Sequence, residues 1–209
     1  MQVVVIDYGM SNLGSITRAL EECRTSPIVS SKPADLQQAS HVILPGVGSF
    51  YEGMKHLRSL DFDKALNKIV YEDKVPLLGV CLGMQLLADD GIEGGKIKGL
   101  GLIEGTTIKL IPKPHEKIPH IGWNEVHIQQ KNTLFKKIPE KTDYYFVHSY
   151  HFVPKDKSVI TTTTPYCGKF VSSIQKDNIF GVQFHPEKSQ FWGFQLLKNF
   201  LQFSTYFNA

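Results

Sequence analysis

The chain has 209 residues, of which 42% are hydrophobic and 21% charged, and its net charge at pH 7 is +3. This balance is typical of a globular protein and argues against a nucleic-acid partner. No apolar run approaches the roughly 18 residues of a membrane span. The three cysteines lie far apart, which disfavours a disulfide framework or a metal cluster. We therefore expect a cytoplasmic protein without a metal or cofactor.

Short apolar runs alternate with helical patterns in the first half of the chain. Val3–Ile6, His41–Leu44 and residues 75–80 are predicted strands, and the first lacks the basic segment of a signal peptide. Predicted helices follow each strand: one capped by Ser11 or Asn12, one over residues 50–73 with a break near Leu60-Asp61, and one over residues 82–88. Such alternation predicts a parallel sheet with helices on both faces.

The second half of the chain is rich in Gly, Pro, Thr and β-branched residues. Strands are predicted at residues 144–147, 159–163, 170–175 and 179–184, with a hairpin turn at 176–178. Residues 190–203 have the pattern of an amphipathic helix. The prediction is therefore one α/β domain over residues 1–209, with a mostly parallel central sheet flanked by helices and a β-rich C-terminal half.

The strongest local pattern surrounds Cys81. The sequence Gly79-Val80-Cys81-Leu82-Gly83 lies between a predicted strand and a predicted helix, as in the cysteine form of a nucleophile elbow. The glycines permit a sharp turn, and the start of a helix favours a thiolate. The amide of Leu82 would then bind an oxyanion. The alternative is a buried structural cysteine, which leaves the two glycines unexplained.

A cysteine nucleophile needs a base, and the base needs an orienting group. His185 follows an apolar predicted strand, at the edge of the sheet where the active sites of α/β proteins collect. Glu187 lies two residues further, on the same side of an extended chain, and Pro186 stiffens the spacer. The pattern predicts nucleophile, base and orienting carboxylate in that chain order. A surface histidine with a helix-capping glutamate is the alternative.

A glycine-rich loop follows the predicted strand His41–Leu44. Glycine allows peptide planes to turn toward a ligand, so the amide of Val47 or Gly48 is a candidate second oxyanion donor. A simple strand-to-helix connection is the alternative. The loop at residues 9–15 lacks the features of a nucleotide-binding motif. Structural or packing roles are expected for the remaining candidates: His115, His120, His127, His148 and His151.

These segments together resemble the class I (triad) glutamine amidotransferases. The elbow and His-Pro-Glu mark the superfamily. Pro-Gly-Val-Gly-Ser-Phe, His-Ile-Gly-Trp-Asn and Tyr-Phe-Val-His-Ser-Tyr are similar to its glutaminase subunits of histidine biosynthesis. The matching stretches run almost from end to end, at residues 6–9, 44–50, 79–85, 120–124, 145–150 and 181–189.

The resemblance implies a role for each matched residue. Cys81 would attack the side-chain amide of L-glutamine, His185 would transfer protons, and Glu187 would orient His185. The implied substrate-binding and oxyanion positions are Gly46, Val47, Gly48, Leu82, Gln85, Glu93, Ser149 and Tyr150. A (β/α)8-barrel synthase subunit would form a heterodimer with this chain and receive the ammonia. The positions implied to face it are Trp123, Tyr145 and Lys188.

Two positions depart from the family pattern, since Ser11 and Cys167 stand where glycine is expected. Ser11 falls near the surface expected to face the partner. An alternative identity is therefore a paralogue that supplies ammonia to a sugar-modifying amidotransferase with its own barrel subunit. A stand-alone cysteine hydrolase or peptidase is a further alternative, but Gln85 and Glu93 favour a free amino acid as substrate. A non-enzymatic binding module is a third alternative, but it would not explain why the elbow, the His-Pro-Glu segment and the glycine-rich loop occur together.

Overall fold

The computed structural model of the protein describes residues 2–204. Within that range the chain forms thirteen β-strands and five α-helices. The strands are β1 (Val3–Ile6), β2 (Ile28–Ser30), β3 (His41–Leu44), β4 (Leu77–Val80), β5 (Asp90–Gly91), β6 (Ile97–Lys98), β7 (Gly105–Lys109), β8 (His120–Ile128), β9 (Thr142–His148), β10 (Tyr150–Pro154), β11 (Ile160–Thr164), β12 (Phe170–Lys176) and β13 (Ile179–Val182).

The helices match the predicted ones and differ mainly at their ends. They are α1 (Leu13–Glu22), α2 (Phe50–Ser59), α3 (Phe62–Tyr71), α4 (Leu82–Leu86) and α5 (Gln190–Leu201). The predicted break at Leu60-Asp61 separates α2 from α3, and Asp61 there has a positive φ of 59°. Asn12 occupies the N-cap of α1 without a side-chain capping bond. No helix within residues 2–204 is both long enough and apolar enough to cross a lipid bilayer.

Nine strands form the main sheet, in the order β2-β1-β3-β4-β13-β12-β11-β8-β9. The ladders from β2 to β13 are parallel, and those from β13 to β9 are antiparallel. The predicted α/β class is confirmed, although the sheet is mixed and its parallel part ends at β13. Short connections explain the change of direction, because a two-residue hairpin joins only antiparallel strands.

The predicted hairpin between β12 and β13 is present. Lys176 pairs with Ile179, so Asp177 and Asn178 form the turn, and Asp177 has a positive φ of 51°. The buried side chain of Asn178 donates to the backbone carbonyls of Val70, at 3.1 Å, and Val75, at 2.8 Å. The turn is therefore tied to the end of α3 and the entry to β4, which fixes β13 beside β4.

A second, four-stranded sheet has the order β10-β7-β5-β6. The sequence pattern did not predict these strands, nor did it predict β2 and β8. Two of them, β5 and β6, are only two residues long, which is too short for a periodicity to show. This sheet carries the loop containing Glu93 and the segment beginning at Tyr150 toward the end of the main sheet.

Apolar side chains cover both faces of the main sheet. Because successive residues of a strand point to opposite faces, β1 contributes to two separate core clusters. Val4 and Ile6 pack in the cluster that contains α2 and α3. Val3 and Val5 pack in the cluster that contains α1 and α5. The sheet is thus enclosed between two helical layers, and its strand ends remain available for a site.

Candidate active site

Cys81 lies at the sharp turn between β4 and α4. Its φ of 55° and ψ of −111° are unusual for a non-glycine residue, and strain of this kind is concentrated at functional positions. A Cβ atom on Gly83 would overlap the backbone carbonyl of Leu44. A Cβ on Gly79 would lie 2.7 Å from the backbone of Gly83. Glycine is therefore required at both positions for α4 to pack against the sheet.

His185 and Glu187 follow β13, the strand next to β4. The Nδ1 atom of His185 lies 2.8 Å from Oε1 of Glu187, and their side chains are only 4% and 5% exposed. The spacer is not extended as expected, because residues Pro186–Lys188 form a short 3₁₀ turn. The turn still brings the carboxylate to the imidazole. The amide of His185 also donates to the carbonyl of Tyr145, at 2.9 Å.

The charges around His185 favour its protonated form. Burial lowers the pKa of this histidine, but attraction to Cys81 and Glu187 outweighs burial and raises the pKa to about 10. Its Nε2 atom is buried and has no hydrogen-bond partner among residues 2–204. With Nδ1 engaged by Glu187, Nε2 is the nitrogen available to Cys81. The arrangement suits a cysteine nucleophile that passes its proton to a neighbouring imidazole.

A cavity of about 400 Å³ opens beside Cys81 and His185. Its remaining lining residues include seven that the sequence predicts: Val47, Gly48, Leu82, Gln85, Glu93, Ser149 and Tyr150. Four lining residues had no predicted role in a site: Ser49, Pro119, Val147 and His148. Gly46 and Glu187 do not line the cavity; Gly46 is buried against Tyr8 and Leu82, and Glu187 contacts His185. The cavity is within the usual size range for a small-molecule site.

Two of the three candidate oxyanion donors, the amides of Leu82 and Val47, are bonded to backbone carbonyls in this structure. The amide of Leu82 donates to the carbonyl of Gly46, at 3.3 Å. The amide of Val47 donates to the carbonyl of Met10, at 2.9 Å. Gly48 has a positive φ of 103°, which glycine adopts readily. The Gly46–Val47 peptide therefore presents its carbonyl to Leu82, where an oxyanion would need donors.

Gln85 and Glu93 approach the cavity from different elements. The Nε2 atom of Gln85 donates to the carbonyl of Tyr150, at 2.9 Å, and to Oε1 of Gln183, at 3.0 Å. Because both of its amide hydrogens are used in this way, its oxygen is the atom left for a ligand. Burial raises the pKa of Glu93, opposed by a hydrogen bond from the backbone of Phe50. Two oxygen acceptors thus face the cavity.

A chain of hydrogen bonds runs through two buried histidines beside the cavity. Asn124 Nδ2 lies 3.3 Å from His120 Nε2, His120 Nδ1 lies 3.0 Å from His148 Nε2, and His148 Nδ1 lies 2.8 Å from the carbonyl of Tyr150. Since the carbonyl only accepts, each histidine carries its proton on Nδ1. Burial lowers the pKa of His148 to about 3 and that of His120 to about 4, so both are neutral at pH 7.

The position of His148 in the alternating pattern of β9 is a sequence signal for a buried polar site. On β9, Tyr144, Phe146 and His148 are buried and alternate with less buried neighbours. A histidine on the inward side of such a strand is expected to find a polar partner. The expected packing role is therefore only part of its environment, because His148 also lines the cavity.

The three residues predicted to face a partner form one cluster outside the cavity. The rings of Trp123 and Tyr145 have centroids 6.0 Å apart, and Nζ of Lys188 lies 5.8 Å from the Tyr145 ring centroid. Trp123 is 47% exposed, which is high for a large aromatic side chain. Tyr145 links this cluster to the site through its bond with the His185 amide.

Comparison with known proteins defines the class of this protein. The family model for class-I glutamine amidotransferases matches residues 4–202, and the chain belongs to this family of enzymes. Two solved structures share its fold. A glutamine amidotransferase crystal structure aligns with a TM-score of 0.75 and 16% identity, over 95% of this chain and 97% of the other. One from Thermotoga maritima aligns with a TM-score of 0.63 and 21% identity, over 90% and 76%.

Sequence relatives narrow the comparison to one kind of subunit. The chain is 47% identical to imidazole glycerol phosphate synthase subunit HisH 1 of Campylobacter jejuni (strain RM1221), over 96% of this chain and 99% of the relative. It is 46% identical to subunit HisH 2 of Methanococcus maripaludis, over 96% and 98%. It is also 46% identical to subunit HisH of Moorella thermoacetica, over 95% and 93%.

Proposed function

We propose that this chain is the glutaminase subunit of imidazole glycerol phosphate synthase. It hydrolyses L-glutamine to glutamate and ammonia. A partner subunit uses the ammonia to make imidazole glycerol phosphate and AICAR in histidine biosynthesis. The observation that carries the proposal is the placement of Cys81, His185 and Glu187 at one cavity, in a chain that matches such subunits along nearly their whole length. We place the enzyme in the cytoplasm, where its three free cysteines would stay reduced.

In the first half of the reaction, the sulfur of Cys81 attacks the side-chain amide carbon of glutamine. His185, protonated by the thiol, donates that proton to the departing nitrogen, so ammonia leaves and a thioester remains. In the second half, His185 removes a proton from water, the hydroxide attacks the thioester, and the proton returns to the sulfur as glutamate is released. Glu187 holds the imidazole in one orientation and stabilises its charged form throughout.

The cavity walls account for recognition of a free amino acid. The carboxylate of Glu93 and the oxygen of Gln85 are acceptors suited to the α-ammonium group of glutamine. The backbone amides of Ser149 and Tyr150, at the junction of β9 and β10, are suited to its α-carboxylate. With its α-ammonium and α-carboxylate groups both bound, the substrate glutamine would extend its side-chain amide toward Cys81.

The resting oxyanion site is closed, and we infer that turning of the Gly46–Val47 peptide opens it. The turn would remove the Gly46 carbonyl from Leu82 and direct the Val47 amide toward the developing charge. Loss of one such donor typically costs about 10²–10³ in rate, so the turn alone is large enough to act as a switch.

A (β/α)8-barrel partner in a heterodimer would supply that switch. Trp123, Tyr145 and Lys188 are suited to contact it, because they form one cluster and Tyr145 is bonded to the His185 amide. Ammonia would enter the barrel without reaching solvent. Coupling of this kind prevents wasteful hydrolysis of glutamine when the acceptor is absent.

The test is glutaminase turnover of the chain alone, with the barrel subunit, and with the barrel and an analogue of its substrate. Stepwise activation is expected. Trp123→Ala and Lys188→Ala should weaken docking or loosen the coupling. Lys64→Ala, an exposed lysine of α3, is the matched control and should change neither. Full turnover by the chain alone would refute the gated mechanism and favour a stand-alone amidase.

Ser11 supports a second candidate function for this chain. In it, the ammonia acceptor belongs to a sugar-modifying system with its own barrel subunit. The relatives named HisH 1 and HisH 2 show that some organisms hold numbered copies of this subunit. Product analysis separates the two acceptors. Formation of imidazole glycerol phosphate with a histidine-pathway barrel supports the first, whereas ammonia release without that product supports the second.

A further inference from the structure

Gln183 is a polar residue in the middle of the molecule whose presence the chemistry described so far does not explain. It follows β13 within the apolar run that ends at Phe184, and its exposed fraction is 0%. Burying a primary amide is unfavourable unless its hydrogen bonds are satisfied. β4 and β13 are paired with Val80 opposite Val182, so the next residues along the two strands, Cys81 and Gln183, are neighbours.

The orientation of the Gln183 amide is determined by a carbonyl that cannot turn. The Tyr150 carbonyl accepts from Gln85, which places the Gln85 nitrogen on that side, and the same nitrogen lies 3.0 Å from Gln183. Because a donor faces it, the Gln183 atom at that contact must be the oxygen. The Gln183 nitrogen is therefore directed to the other side, where it lies 3.7 Å from Sγ of Cys81.

Two groups contact the sulfur of Cys81, one an acceptor and the other a donor, and they respond differently to its charge. The Val147 carbonyl, 3.9 Å from Sγ, accepts from the neutral thiol. The Gln183 amide donates to sulfur and binds the thiolate more strongly than the thiol, because a hydrogen bond to an ionised group is the stronger kind. When the thiol proton moves to His185, the sulfur becomes negatively charged. The Val147 carbonyl then repels it, and the Gln183 amide attracts it more strongly.

We propose that Gln183 is a positioning residue for the nucleophile: its side-chain amide donates to the Cys81 thiolate and holds the sulfur in place for attack. The same residue anchors Gln85, so the nucleophile and the wall of the cavity near Tyr150 are parts of one hydrogen-bonded unit. This inference rests on the proposed glutaminase reaction for its consequence in turnover, but the contact with the thiolate is testable without that reaction.

The test replaces Gln183 in a chain where Cys23→Ser and Cys167→Ser leave Cys81 as the only thiol. Gln183→Met keeps the length without the donor, and Gln183→Glu keeps an acceptor for Gln85 but places an oxygen at the sulfur. The rate of Cys81 alkylation by iodoacetamide is measured against pH in each. The pH of half-maximal rate should rise by about one unit in Gln183→Met and by more in Gln183→Glu.

Turnover is measured in the complex with the barrel subunit. Gln183→Glu keeps the acceptor for Gln85, so it should lower kcat by about 10- to 100-fold and leave KM for glutamine within about threefold, since the lost bond is to the nucleophile. Gln175→Met on β12 is the control and should change neither quantity. An unchanged alkylation profile in a folded Gln183→Met chain would overturn the proposal, even if its thermal stability falls.

A measurement on the native residue covers the case in which both variants fail to fold. The side-chain amide resonance of Gln183 should shift with pH at the same midpoint as Cys81 alkylation, and the shift should vanish after alkylation. An amide signal that does not titrate would overturn the proposal. If the wild-type complex hydrolyses no glutamine but this titration is observed, the glutaminase assignment fails and the contact of Gln183 with the thiolate stands.

Discussion

The two parts of the main sheet contribute to the site in different ways. The parallel part, β1–β4 with β13, supplies Cys81 from the end of β4, and His185 and Glu187 from the segment after β13. The antiparallel strands and the second sheet add His148, Tyr150 and the loop of Glu93, while the loop after β3 and α4 complete the cavity from the parallel part. The proposed reacting groups thus depend on two adjacent strand ends, whereas the proposed recognition also needs Glu93, Ser149 and Tyr150, which come from other parts of the chain.

This difference separates the expected effects of substitution. Changes at the ends of the parallel strands should act on the chemical step and leave glutamine binding largely intact. Changes in the antiparallel part should act on KM or on stability. A variant of the first kind that mainly raises KM, or one of the second kind that mainly lowers kcat, would weaken this division.

The largest effect is expected at Cys81. Cys81→Ala removes the nucleophile and should lower glutaminase turnover in the complex by about 10⁴-fold or more. A glutamine-like diazoketone should label Cys81 and spare Cys23 and Cys167, as read by peptide mass spectrometry. Cys167→Ala is the control and should retain turnover. Labelling of another cysteine, or activity in Cys81→Ala, would show that the elbow is structural.

Glu187→Gln should be severe but milder than loss of Cys81. The variant keeps the shape of the side chain and removes the charge that supports protonated His185. A fall in kcat of about 10²–10⁴ is expected, with little change in KM. Steady-state ammonia release by the complex measures both. A glutamine KM that rises while kcat is unchanged would move Glu187 from catalysis to binding.

Glu93→Gln tests the contribution of the second sheet. Replacing the carboxylate by an amide weakens its bond to an ammonium group, so KM for glutamine should rise by about 10- to 100-fold. The fold should persist, because Glu93 lies in a loop between β5 and β6. Glu104→Gln, an exposed residue paired with Lys155, is the control. An unchanged KM would make Glu93 a loop charge and favour the peptidase alternative.

The smallest effect is expected for folding stability when the pH is lowered. Burial lowers the pKa of His148 to about 3 and those of His120 and His151 to about 4, against about 6.5 for an unfolded histidine. The unfolded chain therefore binds more protons between pH 6.5 and 4, and stability falls as the pH decreases through that window. His185, with its raised pKa of about 10, acts in the opposite sense above pH 6.5.

Urea unfolding at pH 7.5 and pH 5 measures this acid effect. His120→Gln removes one of the three groups, so the loss of unfolding free energy between the two pH values should shrink by about 1–2 kcal/mol. His127→Gln, on the more exposed side of β8, is the control. An equal loss in both variants would mean that the buried histidines do not determine the acid response.

The same division explains what could be predicted from the sequence. The elbow at Cys81 and the segment from His185 to Glu187 are local, so the residue types and their spacing carry the information. The parallel strands are continuous apolar runs, which a pattern analysis detects. The α/β class and the helices on both faces followed from those runs.

The remaining features depend on pairings over long stretches of chain. Gln85 meets Gln183, 98 residues away, and His120 meets His148, 28 residues away; no local pattern specifies such contacts. The two-residue strands β5 and β6 exist only because β7 lies beside β5. The orientation of the Gly46–Val47 peptide is also beyond the sequence, since its glycines permit either direction.

The bond between the Val47 amide and the Met10 carbonyl has a consequence for isotope exchange. An amide hydrogen held in such a bond exchanges with deuterium only when the bond opens. If the peptide turns on docking of the barrel, the hydrogens of Val47 and Leu82 both lose their carbonyl acceptors and become unprotected together. Their deuterium uptake would then count the open molecules directly, in the absence of glutamine and with a Cys81 variant that cannot react.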